Sequence, residues 1–228
     1  TLNGDALASG ASAALPFPPD TGVVLAGGKR LLVLSWGSGE EKGEVFVPSG
    51  PGAAALLESG KLTEIARSEL GWGRGFLFRS PDGQAAGLFF PGSEAGKRGP
   101  GHAGELAVVD AAQGTIRRIR FPRAASDAVS LGDGKAVVLL PPGGAAGGPT
   151  ELVFVDLATG GTEPTAISGS AKALLLAPSG RTIWIQDPGP SKSSPGRMLE
   201  FSVAERKVVA EHAVGASSRA LGFDRRER

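Results

Sequence analysis

The sequence predicts an all-β fold made of four-stranded antiparallel meanders. Three observations predict it: a repeated strand, a recurring tight turn, and short apolar runs separated by clusters of glycine and proline. The repeat comes first. Glu105-Leu-Ala-Val-Val-Asp110-Ala-Ala-Gln-Gly114 matches Glu151-Leu-Val-Phe-Val-Asp156-Leu-Ala-Thr-Gly160, and a weaker copy follows at Arg197-Met-Leu-Glu-Phe-Ser202-Val-Ala-Glu-Arg206. Asp110, Asp156 and Ser202 are each 46 positions apart. A degenerate fourth copy is Ala54-Ala-Leu-Leu-Glu58-Ser-Gly-Lys61.

Ahead of each of the three clearer copies lies an apolar strand, a tight turn and a second apolar strand. The turns are Ser80-Pro-Asp-Gly83, Leu131-Gly-Asp133-Gly134 and Ala177-Pro-Ser-Gly180. Proline presets the first corner, aspartate closes the turn with its side chain, and glycine takes the positive φ that a hairpin requires. A fourth strand follows each third one, as in Thr115-Ile-Arg-Arg-Ile119 and Lys207-Val-Val-Ala-Glu211. Strands A to D thus recur every 46 to 51 residues, the Gly83-to-Gly134 interval being 51 and Gly134 to Gly180 being 46.

That length suits one blade of a β-propeller. The inner strands are solidly apolar (Val137 to Leu140, Val153 to Val155), as for strands covered on both faces, whereas the fourth strand alternates Ile116, Arg117, Arg118, Ile119, Arg120. The expected fold is therefore a β-propeller of four-stranded antiparallel blades. Four blades are visible, at roughly 19–72, 73–125, 126–170 and 171–216. Residues 37–53 fit the first blade poorly. Residues 217–228 read as the start of a further blade or a tail, with 217–223 resembling its first strand, and residues 1–18 as a candidate outer strand for it. A ring must close to avoid bare edges, so the whole chain is expected to be one propeller domain or a fragment of a larger or split one.

Ser80-Pro-Asp-Gly83 and Ala177-Pro-Ser-Gly180 after an apolar strand, with Phe154-Val-Asp-Leu-Ala-Thr-Gly160, resemble the bacterial YVTN, lactonase-like and TolB-like propeller repeats over about residues 73–216. The resemblance implies the fold. It implies no single activity, because that group contains binding and scaffold proteins as well as ring-opening hydrolases. The Tyr-Val-Thr-Asn signature is missing, the chain has no tyrosine, and no catalytic residue is carried over.

Composition narrows the chemistry. Hydrophobic residues make up 41% of the 228 and charged residues 21%, enough apolar material for a core. The net charge of +1 supplies no field for nucleic acid or an anionic membrane. Cysteine is absent, which removes disulfides, thiolate zinc sites, iron–sulfur clusters and cysteine nucleophiles, and fits a periplasmic or secreted protein. The only methionine is Met198, so the sequence reads as a chain freed of a leader or as an excised segment. No apolar stretch approaches the ~20 residues that span a bilayer.

No catalytic signature emerges. Gly92-Ser-Glu-Ala-Gly96-Lys97-Arg98 is one residue short of a phosphate-binding loop and lacks its Ser/Thr. Gly71-Trp-Gly-Arg-Gly75 is not a dinucleotide fingerprint, and no nucleophile elbow occurs. Two histidines, His102 and His212, cannot make a three-histidine metal site. Asp110 and Asp156 read as turn-closing carboxylates, His212 as an outer-strand residue, and Trp184 as core. No cofactor and no metal are expected.

A meander places its B–C and D–A connections on one face. Here the B–C loops are long, at 91–104, 141–149 and 187–196, while the A–B turns are minimal. Recognition concentrates on such loops. On that face the sequence places Trp36, Trp72, Arg74, Lys97, Arg98, His102, Lys192 and Arg197, residue types that carry binding energy when exposed. The preferred expectation is a non-catalytic binding or scaffold module with a protein partner. The alternative is a lactonase-like hydrolase, or the propeller accompanying a separate catalytic domain. A third expectation is assembly through open blade edges.

Overall fold

A computed structural model of the protein describes residues 14–15, 17–42, 45–80, 82–93, 101–143, 148–189, 191 and 193–215. The first sheet runs β1 (Thr21–Leu25), β2 (Arg30–Ser35), β5 (Ala53–Glu58) and β6 (Thr63–Glu69), with a hairpin of β3 (Gly39–Lys42) and β4 (Val45–Pro48) inserted between β2 and β5. The hairpin explains why residues 37–53 break the repeat: the described residues from 37 to 52 decorate a B–C connection, and only Ala53, the start of β5, belongs to a blade strand. The second sheet is β7 (Phe76–Arg79), β8 (Ala85–Phe90), β9 (Glu105–Asp110) and β10 (Thr115–Arg120). The third is β11 (Asp127–Ser130), β12 (Lys135–Leu140), β13 (Thr150–Asp156) and β14 (Thr162–Ile167). The fourth is β15 (Ala173–Leu176), β16 (Thr182–Asp187), β17 (Gly196–Ser202) and β18 (Lys207–Val214). All pairings are antiparallel between neighbours in sequence order, apart from the inserted hairpin. These are four blades of a β-propeller fold. The helical content of the described residues is one 3₁₀ turn at Ala26–Gly28, and no helix among them is long and apolar enough to cross a membrane.

The repeat is a turn made four times. After strand C, Asp110 Oδ1 accepts the Gln113 N–H at 2.8 Å, Asp156 Oδ1 the Thr159 N–H at 2.7 Å, and Ser202 Oγ the Glu205 N–H at 3.2 Å. The recurring aspartates thus close turns, as the sequence suggests. The residue four beyond each (Gly114, Gly160, Arg206, and Leu62 after Glu58) bonds back to that residue's carbonyl and has φ between 52° and 69° or, for Gly160, 78°. Two of the four are not glycine, so the turn geometry outranks local preference there. On the A–B side, Asp82 Oδ1 accepts from Ser80 Oγ at 2.5 Å and the Gln84 N–H at 3.0 Å, and Gly83 has φ 67°.

Strand-face alternation then builds the core. On β8, Leu88 and Phe90 face the first sheet with Leu32, Leu34 and Leu56, whereas Phe89 faces the third with Val108, Val138 and Leu140. On β12, Val137 and Leu139 turn instead to the fourth sheet, meeting Ile183, Ile185, Leu199 and Phe201. Sheets two and three are therefore covered on both sides, and from residue 136 to 140 every side chain is buried. The outer face of the first sheet (Val33, Ala55, Leu57) is covered by Leu15 and Phe17, so those residues lie over a sheet face and do not extend an edge. Residues 1–13 and 217–228 lie outside the described residues.

The fourth sheet differs. Its β16 alternates half-buried and buried positions, and Trp184 lies on the side away from the third sheet, half-buried against His212 at 5.2 Å. The core position expected for Trp184 is thus corrected, because no further sheet among the described residues covers that side. His212 itself is exposed, 3.8 Å from Glu200. The innermost strands of sheets three and four are tied by Asp127, whose Oδ2 accepts the Leu174 N–H at 2.8 Å. Burial raises the Asp127 carboxyl above its ordinary 3.8, against the pull of the Leu174 and Ala128 N–H groups.

Gly134 tests the turn rule cleanly. Its φ is 75° and an added Cβ would meet nothing. Gly134→Ala should cost about 1 kcal/mol, read as a lower urea midpoint. Gly60→Ala, at another turn where a Cβ meets nothing and φ is not in the left-handed range, should leave the midpoint unchanged or slightly raised.

Candidate functional site

The B–C loops and D–A connections share one face and are bonded to each other. Gly92 N–H donates to Trp72 O at 2.8 Å, Ala125 N–H to Pro91 O at 2.8 Å, and Gly104 N–H to Arg123 O at 2.9 Å. Loop backbone is thereby satisfied without a strand ladder. Residues Ser93 and His102 form an antiparallel bridge, donating to each other's carbonyls at 2.9 and 2.7 Å, which pinches the second B–C loop at its base.

Of the eight residues the sequence places on this face, two are brought together. The rings of Trp72 and His102 stack at 3.8 Å and 4°, an arrangement worth about 0.5–1.5 kcal/mol beyond area burial. Trp36 packs on Phe90 at 5.3 Å, and its backbone N–H donates to Asp20 Oδ2 at 2.7 Å. Both tryptophans are half-buried, because the connections fold over them. The fully exposed anchors that the sequence suggests are corrected to that extent. Arg74 is exposed beside Trp72. Lys97, Arg98 and Lys192 lie outside the described residues.

Arg197 lies at the start of β17, next to the fourth B–C loop. It is held in an ion-pair chain, with Nη2 donating to Asp187 Oδ2 at 2.7 Å and Nη1 to Glu211 Oε2 at 2.9 Å. Burial pushes the Asp187 carboxyl up, but the Arg197 hydrogen bond, the Gly189 N–H and the Arg197 charge outweigh it and hold the carboxyl below 3.8. The same partner holds the Arg197 guanidinium above its ordinary value, chiefly through the Asp187 hydrogen bond.

Sequence reasoning missed the rest of this electrostatic layer. Glu105 is 1% exposed, and its carboxylate takes Arg118 Nε and Nη2 at 2.8 and 2.7 Å and Arg120 Nε at 3.3 Å. Arg123, on the second D–A connection, donates to Pro141 O, Pro149 O and Glu151 Oε2 at 2.8, 3.0 and 2.8 Å, and so clamps the third B–C loop. A signal existed: Glu105, Glu151 and Arg197 occupy one repeat position, a charge at or near the start of an otherwise apolar strand C. Among the described residues no three His, Asp or Glu side chains are grouped as a metal site would require.

No protein-family model and no curated protein sequence matches the chain. Solved structures do. The chain is similar to Kuenenia stuttgartiensis hydrazine synthase, with 15% identity and a TM-score of 0.49, covering 88% of this chain and 64% of that one. It is similar to the β-propeller domain of the trilobed protease from Pyrococcus furiosus, described as having an open velcro topology, at 12% identity and a TM-score of 0.45, over 61% and 42% of the two chains. Porphyromonas gingivalis dipeptidyl peptidase 4 matches at 8% identity and a TM-score of 0.49, over 87% and 33%. The chain thus spans from a third to under two thirds of those proteins. At these scores the likenesses add no argument to what the four sheets show by themselves.

Removing Arg197 should expose the electrostatics. Arg197→Met leaves the buried Asp187 carboxylate without its counter-charge, and stability at neutral pH should fall by about 2 kcal/mol. In the unaltered protein, the lowered Asp187 value contributes stability that is present above 3.8 and lost as pH falls through the folded value. In the variant, burial acts unopposed by Arg197 and protonation relieves the cost. The gap in urea midpoint between the two should therefore narrow on acidification toward pH 3.

Proposed function

We propose that this chain is a non-catalytic binding or scaffold module, a single β-propeller domain or part of one, that engages a protein partner through its loop face. The observation that carries this reading is the asymmetry of the two ends of the sheets. One end bears only tight turns. The other bears the long B–C loops, the extra β3–β4 hairpin, and the Trp72–His102 stack with Arg74 beside it. A half-buried tryptophan held by a bonded framework costs little entropy to present, and with the exposed Arg74 close in sequence it suits a binding anchor.

Two further parts of the reading rest on the sequence. The absence of cysteine accords with a periplasmic or secreted setting, and the Ser-Pro-Asp-Gly turns accord with the YVTN-like or TolB-like propellers. Assembly through open blade edges accords with a fourth sheet whose far side no further sheet among the described residues covers, where Trp184 and Met198 are only half-buried.

The test is partner capture from an extract of the source organism, comparing three immobilised proteins. Trp72→Ala with Arg74→Glu should lose at least about tenfold of the captured partner, or about 1.4 kcal/mol of affinity. Gln113→Ala, at the opposite end of the second sheet, should retain it. Equal capture by all three would remove the loop face from the reading.

A further inference from the structure

A groove of about 740 Å³ opens at the other end of the molecule, between the second and third sheets. Its origin can be read from the repeat. In each blade one cross-strand row points at the following blade, and the row's position on strand B is Leu32, Gly87, Val137 and Trp184 in turn. Only the second blade has no side chain there. Its full row is Phe78, Gly87, Val108 and Arg117. The Phe78 ring lies over Gly87 so closely that an added Cβ would fall inside it.

The next row along makes the contrast. In the third blade it is Val129, Val137, Phe154 and Glu163, with Arg206 over the Phe154 ring at 4.1 Å and paired to Glu163 at 2.7 Å. Side chains and a plugging arginine leave a smaller recess of about 310 Å³ there. Between sheets two and three the Phe78 ring takes the place that a side chain at Gly87 would fill, and the equivalent space stays open beyond it, with Val108 where Phe154 stands in the third blade and Gly160 at the turn position that Arg206 holds in the fourth. Its opposite wall is the Gly132–Gly134 turn with Leu157 and Ala158. Arg117 closes the outer end by donating to the carbonyls of Leu157 and Ala158.

The lining has two chemistries. Its floor is apolar: Phe78, Val108 and Leu157 are also part of, or packed on, the core between these two sheets. Its rim carries three carboxylates, Asp82, Asp110 and Asp133, against the guanidinium of Arg117, which is committed to two backbone carbonyls, and the exposed Lys135 ammonium 3.6 Å from Asp133. The volume is that of a small-molecule site, a few hundred to a thousand cubic ångströms. We infer that this groove binds a small organic cation, an apolar ring or chain laid along the Phe78–Val108 floor with an ammonium or amidinium group at the carboxylate rim. Charge complementarity selects the sign of the ligand, and Gly87 lets the Phe78 ring seat on β8 as the floor. The Asp82 carboxyl is held below 3.8, mainly by the Ser80 hydroxyl and the Gln84 N–H, so it stays ionised at neutral pH. The site stands apart from the loop face and its reading does not depend on a protein partner there.

The experiment uses the full chain with tryptamine as the cationic probe and indole-3-propionate as its anionic counterpart, titrated by calorimetry and by backbone amide shifts. Tryptamine should bind saturably, shift amides of residues 82–87, 110–117 and 132–134, and be preferred by at least about tenfold over indole-3-propionate. Gly87→Val, whose Cβ would displace the Phe78 ring from the floor, should weaken it by about tenfold or more. Asp133→Asn, on a turn whose side chain is 64% exposed and whose folding is not at issue, should weaken tryptamine several-fold and leave indole-3-propionate no worse. No saturable tryptamine binding, equal binding of the two probes, or shifts confined to the loop face would each overturn the proposal. An unfolded Gly87→Val leaves the decision to the charge preference and to Asp133→Asn.

Discussion

A four-stranded meander has two faces and no thickness of its own, so each sheet can be dry only if another sheet lies against it. Everything in this structure follows from that constraint. Strands β8, β9, β12 and β13 are buried on both sides because sheets stand before and behind them, and their sequences are continuously apolar for the same reason. The three intersheet clusters built around Leu56 and Phe90, around Phe89 and Val138, and around Leu139 and Ile185 form a stack in which the second and third blades each supply half of two cores. Where a neighbouring sheet is lacking among the described residues, the pattern changes at once: β16 alternates, and Trp184, Gln186 and Met198 remain half-buried on the open side.

Stacking sheets leaves the loop end with backbone to satisfy and charges to bury, and the two problems are solved together. D–A connections donate to B–C loops, and arginines reach from one blade to the next. Arg123 binds two proline carbonyls and Glu151 of the following blade. Glu105 is desolvated but receives two arginines from its neighbouring strand. Such pairs add little net stability over apolar residues, yet removing one partner alone is costly. Their effect is to fix where the connections run, and so where Trp72 and His102 meet.

The turn end obeys the same packing rule with the opposite consequence. There a row of side chains fills the gap between blades unless one is missing. In the second blade one is missing, at Gly87, the Phe78 ring takes its place, and a groove remains beyond that ring between the second and third sheets. A recess of that kind follows from the repeat being imperfect. It was visible in the sequence as a glycine interrupting the run from Ala85 to Phe90, although nothing there said which side of the sheet it served.

The sequence by itself determined the strands, their meander order, the lengths of the loops and the role of Asp110 and Asp156, because those depend on contacts within a few residues: alternation, turn chemistry and repeat spacing. It also placed the long loops on one face, since a meander has no other way to arrange them. Only the tertiary structure decided which charges are buried and with whom. Glu105, Arg118 and Arg120 are joined across a strand pair, Arg197 with Asp187 and Glu211 across three strands, and Arg123 with the next blade. It decided too that Trp36 and Trp72 are half-covered, that Gly39–Lys42 and Val45–Pro48 pair outside the blades, and that Gly87 faces the third sheet beneath the Phe78 ring. Those outcomes depend on how one sheet sits against the next, and intersheet packing brings together residues that no local pattern relates.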